Sequence, residues 1–188
     1  MTPGTQWWLE QKKAPADAES MWESWQAPHR NHVLLALRCL PPVTSLYEIG
    51  CGSGPNLRLI QTVFPEITRL GGSEPCQGMA AWASEHVGCH IDQALLPDGI
   101  PTGYDVLLSC YTLAYVDEAT MLETLKRAET QHLILLEPNM GLVSGGYGVP
   151  EFQHDYLTAL NDTGWQLQFR WPVMPPVQGL NACIIASR

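Results

Sequence analysis

Positive charge is scarce in this sequence: 10 Lys and Arg stand against 19 Asp and Glu, for a formal net charge of −9. Nucleic-acid affinity rests on clustered Lys and Arg, so this balance argues against a broad phosphate-tracking surface, and no Lys/Arg run builds a local one. Paired cysteines are also missing. Cys39, Cys51, Cys76, Cys89, Cys110 and Cys183 stand singly, mostly in or beside apolar segments, where a free thiol behaves as a small hydrophobe. A zinc site or disulfide framework is not expected, and no metal is assigned. No apolar run is long enough to cross a bilayer, and the polar, Trp-bearing start is unlike a secretory signal. The cytoplasm is the expected compartment. No internal repeat or low-complexity tract is present. What is there is 188 residues, 45% hydrophobic and 15% charged, the size of one globular domain with a substantial core.

The chain is organised around Thr44-Ser45-Leu46-Tyr47-Glu48-Ile49-Gly50-Cys51-Gly52-Ser53-Gly54-Pro55-Asn56. The stretch opens as a short apolar run after Pro41-Pro42, which predicts a buried strand. Three glycines follow, and a helical pattern resumes with Leu57, Ile60, Val63 and Phe64 on one side. Strand, glycine turn and helix make the ligand-binding corner of a doubly wound α/β sheet. Glycines are required there where the turn needs positive φ or a ligand approaches the backbone. Pro55 suits the first helical turn. The dinucleotide pattern Gly-x-Gly-x-x-Gly fails in both frames, since its third glycine falls on Pro55 or Leu57. Glu48 followed by Gly50, Gly52 and Gly54 instead resembles the first motif of the class I S-adenosylmethionine-dependent methyltransferases.

The resemblance continues in order along the chain. A weak second strand, Glu66 to Ser73, leads to Gly72-Ser73-Glu74-Pro75 and then Met79 on a helix reaching about Glu85. An acid after the second strand is where this fold places its ribose-hydroxyl acceptor, and a carboxylate accepts from two hydroxyls at once. The pattern Gly-x-Glu-Pro-x-x-x-Met resembles the second methyltransferase motif. A third strand, Val87 to Ile91, runs into Asp92-Gln93-Ala94, which the resemblance implies reads the adenine amino group. The alternative is that Asp92 only caps a loop. Tyr104 to Ser109 predicts a central parallel strand, nearly continuous in apolar residues. The loop after it, Cys110 to Asp117 with Tyr111 and Tyr115, resembles the edge of the family's methyl-transfer site. A helix over about Glu118–Ala128 and a fifth strand over His132–Glu137 follow, ending in Glu137-Pro138-Asn139. A glycine-rich segment with Tyr147 and a helix over Glu151–Leu160 come next. Two final strands, Gln166–Trp171 and Ala182–Ala186, resemble the family's closing antiparallel pair. The implied fold is a Rossmann-like, mostly parallel seven-stranded sheet with an antiparallel C-terminal strand, preceded by N-terminal helices.

Residues 1–40 lie outside these motifs and are read as a helical arm or lid beside a cofactor domain spanning 41–188. Residues 1–15 predict a loose arm. Helical patterns follow from Asp17 to Ala27 and from Pro28 through Val33, Leu34, Leu37 and Leu40. Four tryptophans, Trp7, Trp8, Trp22 and Trp25, exceed what a small core needs. They pack the arm or cover a pocket, and Trp25 is the strongest candidate to face a sulfonium cation.

The resemblance implies S-adenosylmethionine as cofactor and S-adenosylhomocysteine as product. It places binding at Glu48, Gly50, Cys51, Gly52, Gly54, Glu74, Pro75 and Met79, and at Asp92, Gln93, Ala94, Ser109 and Tyr111. Arg30, one of few basic residues, is assigned to the methionyl carboxylate, which a guanidinium meets bidentately; an exposed surface arginine is the competing reading. Methyl transfer is an in-line displacement that needs no obvious catalytic side chain, and none stands out. His154, Tyr111, Tyr115 and Tyr147 fall in substrate-side segments and are the candidates. The Asp/Asn/Ser-Pro-Pro-aromatic tetrapeptide of amino-group methyltransferases is replaced by Ser109-Cys110-Tyr111-Thr112, which disfavours base N-methylation. The expected activity is methylation of a small organic molecule at O, N or S. Other uses of the same cofactor, of lyase or aminopropyl type, and a catalytically silent binding module are the alternatives. Nucleic acid and membrane are not expected partners, and the oligomeric state is open.

Overall fold

The computed structural model describes residues 1–11, 15–138, 152, 154–177 and 180–188, with the backbone alone at 4, 11, 15, 174–177, 180 and 181. Seven strands form one sheet: β1 (Ser45–Ile49), β2 (Arg69–Ser73), β3 (His90–Asp92), β4 (Val106–Cys110), β5 (His132–Glu137), β6 (Gln166–Val177) and β7 (Leu180–Ser187). Their order is β3-β2-β1-β4-β5-β7-β6. The first five pair in parallel, while β7 is antiparallel to both β5 and β6. The helices described are α1 (Pro3–Gln11), α2 (Pro15–Glu23), α3 (Asn31–Arg38), α4 (Pro55–Val63), α5 (Gln77–Val87), α6 (Glu118–Arg127) and α7 (Tyr156–Asp162).

Strand side chains alternate between two cores. Leu46, Val106, Leu108, Ile134, Leu136 and Ile185 face one side, where Val33 and Leu37 of α3 and Leu57 and Ile60 of α4 cover them. Tyr47, Leu107, Leu133, Leu135 and Ile184 face the other, under Met121 and Leu125 of α6 and Tyr156 and Leu160 of α7. Both faces are apolar because helices cover both, which is why β4 and β5 read as unbroken hydrophobic runs. A third, small cluster joins the N-terminal segment to α5 through Ala18, Cys76 and Met79, with Trp8, Leu9 and Met21 against it.

Some boundaries differ from the sequence reading. Residues 3–11 are helical rather than a loose arm. Hydroxyls of Thr2 and Thr5 donate to the Tyr115 carbonyl, and the Trp8 indole donates to Glu74. These tertiary contacts supply the order that the local sequence does not announce. Val87 belongs to α5 and not to a third strand, because Gly88 takes φ 72 and ends the helix in a left-handed cap. The second strand shortens to Arg69–Ser73, and the last two lengthen to Gln166–Val177 and Leu180–Ser187. Within the expected 151–160 helix, residues 151 and 153 lie outside the described residues, and α7 begins at Tyr156 behind an Asp155 cap. Among the described residues, no helix is long and apolar enough to cross a membrane.

Candidate active site

The sheet order reverses at β1, between β2 and β4, and the crevice of such a sheet lies outside the carboxyl ends of the strands at that point. The glycine turn lies there. Gly50, Gly52 and Gly54 have φ of 61°, 57° and 85°, which side chains adopt only under strain. A Cβ at Gly50 would strike the Thr112 side chain, and one at Gly52 would strike Met21 Sδ. A Cβ at Gly54 would meet Val87, so this glycine serves close packing of α4 on α5. A cavity of about 740 Å³ runs from the turn beneath the N-terminal helices. That is within the usual range for a small-molecule site.

A chain of buried polar groups lies along one wall. Arg30 is 8% exposed; its Nε donates to the Ser24 carbonyl (2.9 Å), Nη2 to Ser24 Oγ (2.9 Å) and Nη1 to Asn56 Oδ1 (2.6 Å). Asn56 Nδ2 in turn donates to Glu48 Oε1 at 2.6 Å. Glu48 Oε2 is buried with no hydrogen-bond partner. Burial pushes the Glu48 carboxyl up to about 8, against the lowering effects of the Asn56 hydrogen bond and the Arg30 charge. Three of the five guanidinium N–H donors are spent on these partners, leaving two for the cavity that Arg30 lines.

Glu74, 1% exposed, stands at the end of β2. Its Oε2 accepts from Gly52 N (3.0 Å), and Oε1 accepts from Cys76 N (2.9 Å) and Trp8 Nε1 (3.2 Å). Burial raises its carboxyl despite these three donors.

Across the crevice, β4 ends in a turn held by Glu137 from β5. Glu137 Oε1 accepts from Ser109 Oγ (2.6 Å), Thr112 N (2.8 Å) and Leu113 N (3.1 Å). Burial pushes this carboxyl up to about 7. Between these fixed points Tyr111 takes φ 56°, the one positive φ outside glycine among the described residues. Its ring meets Tyr115 edge-on at 5.6 Å and 78°, and Trp8 lies 6.0 Å from Tyr115 at 42°. His29 also lines the cavity. Burial, with Arg30 and His32 nearby, lowers its imidazole to about 4 and keeps it neutral; Nδ1 is buried without a partner.

The structure brings many of the nominated residues together. Arg30, Glu48, Gly50, Cys51 and Gly52 line the cavity from the β1 side. Glu74, Pro75 and Ala94 line it from β2 and the loop after β3, and Tyr111 and Tyr115 from β4. The others are placed elsewhere. Met79 is buried beneath the N-terminal segment. Asp92 accepts from Tyr47 Oη (2.7 Å) and contacts His90 Nε2 (2.8 Å); Gln93 is exposed, and Leu95 and Leu96 take that stretch of wall. Ser109 is turned to Glu137. His154 is 4% exposed, with Nε2 3.0 Å from the carbonyls of both Leu113 and Val116, so it clamps the turn beneath Tyr115. Tyr147 lies outside the described residues. Trp25 packs on Arg58, 4.6 Å from ring to guanidinium, while Trp7 and Trp8 reach the cavity instead. Asn56, His29 and Thr112 were not nominated. Only Asn56, next to the glycine turn, carries a local hint of its role.

No protein-family model matches the chain, and no curated protein matches it in sequence. Solved structures match in fold. The magnesium protoporphyrin IX methyltransferase of Synechocystis, solved with S-adenosylhomocysteine bound, aligns over 87% of this chain and 82% of its own. The TM-score is 0.62 at 16% identity. An S-adenosylmethionine-dependent methyltransferase of Leishmania major aligns over 98% of this chain and 81% of its own, with TM-score 0.75 at 13% identity. The mitomycin 7-O-methyltransferase gives 0.72 at 16% identity over 98% of this chain, which spans 60% of that protein's length. At such identities the likeness is one of fold alone; this chain's own sheet runs in the order 3-2-1-4-5-7-6, with the cavity at the carboxyl end of β1. The chain has the fold of the class I S-adenosylmethionine-dependent methyltransferases.

Proposed function

We propose that this protein is an S-adenosylmethionine-dependent methyltransferase acting on a small organic molecule, with residues 1–40 forming a lid over the cofactor domain. The observation that carries the reading is the pairing of Glu48 with Arg30 on one wall. A buried Glu48 carboxyl oxygen without a partner and two uncommitted guanidinium N–H groups lie on the same polar chain. Together they complement a zwitterionic amino-acid head, ammonium on Glu48 Oε2 and carboxylate on Arg30. Glu74 is placed for a ribose diol, although Trp8 already donates to one of its oxygens.

When bound, the cofactor supplies a methyl group already activated on a sulfonium centre. This chain's residues bind, orient and exclude water. The positive-φ glycines let the backbone approach closely, and Met21, Trp7 and Trp8 roof the cavity. Tyr111 and Tyr115 line the same cavity and would wall the acceptor side, orienting an acceptor toward the bound cofactor. A small acceptor fits better than a polyanion, because Arg30 is the one Arg or Lys side chain on the described cavity wall. Two of the structural neighbours carry names of small-molecule acceptors, magnesium protoporphyrin IX and mitomycin.

Isothermal titration with S-adenosylmethionine and S-adenosylhomocysteine tests the cofactor, and labelled methyl transfer into metabolite extracts, RNA and DNA tests the acceptor. Binding of both nucleosides and label in the metabolite fraction is expected. Absence of binding overturns the first half of the reading, and label confined to nucleic acid overturns the second.

A further inference from the structure

We infer that Trp8, Tyr111 and Tyr115 form an aromatic box for an ammonium group, so that the acceptor is an amine methylated on nitrogen. This rests on the reading of the cavity as a joint cofactor and acceptor site.

The ring geometry comes first. Tyr111 and Tyr115 are nearly perpendicular, at 78°, and Trp8 is tilted 42° from Tyr115, with centroids 5.6 and 6.0 Å apart. No two of these rings lie parallel to sandwich a flat heterocycle. Walls at steep angles enclose a compact rounded group, and the negative ring faces favour a cation. The second observation is the backbone at Tyr111. A non-glycine residue at φ 56° is strained, and such strain persists where surrounding bonds over-determine it. Tyr111 N donates to the Leu136 carbonyl at 2.9 Å, and Glu137 holds the next two amides, so the fold fixes this ring beside Tyr115. The third is charge. Asp17 and Asp117 also line the cavity, whereas its one Arg or Lys side chain, Arg30, is the group already assigned to the cofactor's carboxylate. An ammonium acceptor finds Asp17 and the ring faces there, while the Met1 amine, also on the wall, acts on Asp117. The arm completes the box only when docked, because Thr2 and Thr5 tie α1 to the Tyr115 carbonyl.

The chemistry balances without a further reagent. The amine gives one proton to water and reacts as the free base. Its lone pair forms the new C–N bond as the S–C bond of the methyl donor breaks, with that electron pair left on sulfur. The product leaves as a methylated ammonium, the species that the box favours.

The test uses the full chain saturated with S-adenosylhomocysteine, titrated with phenethyltrimethylammonium and with its neutral tert-butyl isostere. The ammonium should bind about tenfold more tightly than the isostere. Tyr115→Leu should abolish that preference, and Tyr115→Phe, which keeps the ring, should retain it. Equal binding of the two probes overturns the inference while leaving the cofactor reading intact. So does a preference that survives Tyr115→Leu, or labelled methyl transfer to phenols and thiols but not to matched arylalkylamines. Failure of S-adenosylhomocysteine to bind at all overturns the proposed function, and this inference with it.

Discussion

Binding of S-adenosylmethionine should expel a proton from Glu48. Burial raises this carboxyl to about 8 in the protein alone, so at pH 7 about nine in ten molecules carry the proton. An ammonium in contact with the unpartnered Oε2 should lower that value by about 2, as opposite charges within a few ångströms do. The bound carboxyl then titrates near about 6, and about 0.8 proton leaves per cofactor at pH 7. The sign follows from linkage: binding that releases a proton strengthens as pH rises, here between about pH 6 and 8. The same arithmetic sets the advantage of wild type over Glu48→Gln, about twofold at pH 6, about tenfold at pH 7 and about fiftyfold at pH 8. Calorimetry in buffers of different ionisation enthalpy reads the proton count directly, as the slope of observed heat against that enthalpy. A zero slope for wild type refutes the reasoning, as does a slope that persists in Glu48→Gln.

Other expectations follow from neighbouring groups. Arg30→Ala should weaken S-adenosylmethionine by about 1.5–3 kcal/mol while leaving adenosine nearly unaffected, since the guanidinium is assigned to the amino-acid end; equal loss for both ligands in calorimetry removes the assignment. Trp8→Phe and Glu74→Gln should move cofactor affinity in opposite directions. The first removes a competing donor and tightens binding by roughly two- to tenfold, and the second removes one of two acceptors for the ribose and weakens it by about 1.5–3 kcal/mol. Weaker binding in Trp8→Phe would mean that the indole supports the ribose instead of competing with it. The carboxyls of Glu48, at about 8, and Glu137, at about 7, both lie above the ordinary value of 4.5. Their stabilising effect is complete below that value and is lost as pH rises through 7 to 8. The cofactor-free protein should therefore lose on the order of 3–5 kcal/mol between pH 6 and 9, and a melting temperature that is flat or rising over that interval refutes it.

How far the sequence discloses this molecule depends on whether each feature is local. The glycine turn was legible because positive φ and close packing admit no side chain, so the requirement is written as Gly50, Gly52 and Gly54. Strands β1, β4 and β5 were legible because helices cover both faces and leave continuous apolar runs. The start of α6 falls where the sequence pattern put it, and there Asp117 accepts from Thr120 N. The third strand was misplaced for the opposite reason. Val87 is as apolar as a strand residue, and only the left-handed Gly88 assigns it to the helix.

The site was legible in its first half and opaque in its second. Glu48 and Glu74 announce themselves by their spacing from the glycines, yet what each touches is decided far away in the chain: Asn56 and Arg30 for one, Trp8 for the other. Nothing near Trp8 distinguishes it from Trp25, but α1 returns across the sheet and gives its indole a carboxylate 66 residues on. Asp92 shows the same limit in reverse. Its position suggested a ligand contact, and in the structure it also contacts its strand neighbour His90 and accepts from Tyr47 of β1, the latter a pairing set by strand register that no single segment encodes. The covering of the cavity is thus a property of the assembled sheet. The N-terminal helices bind to what β1, β2 and β4 present together, and their own sequence carries only the means, aromatic rings and hydroxyls, and not the address.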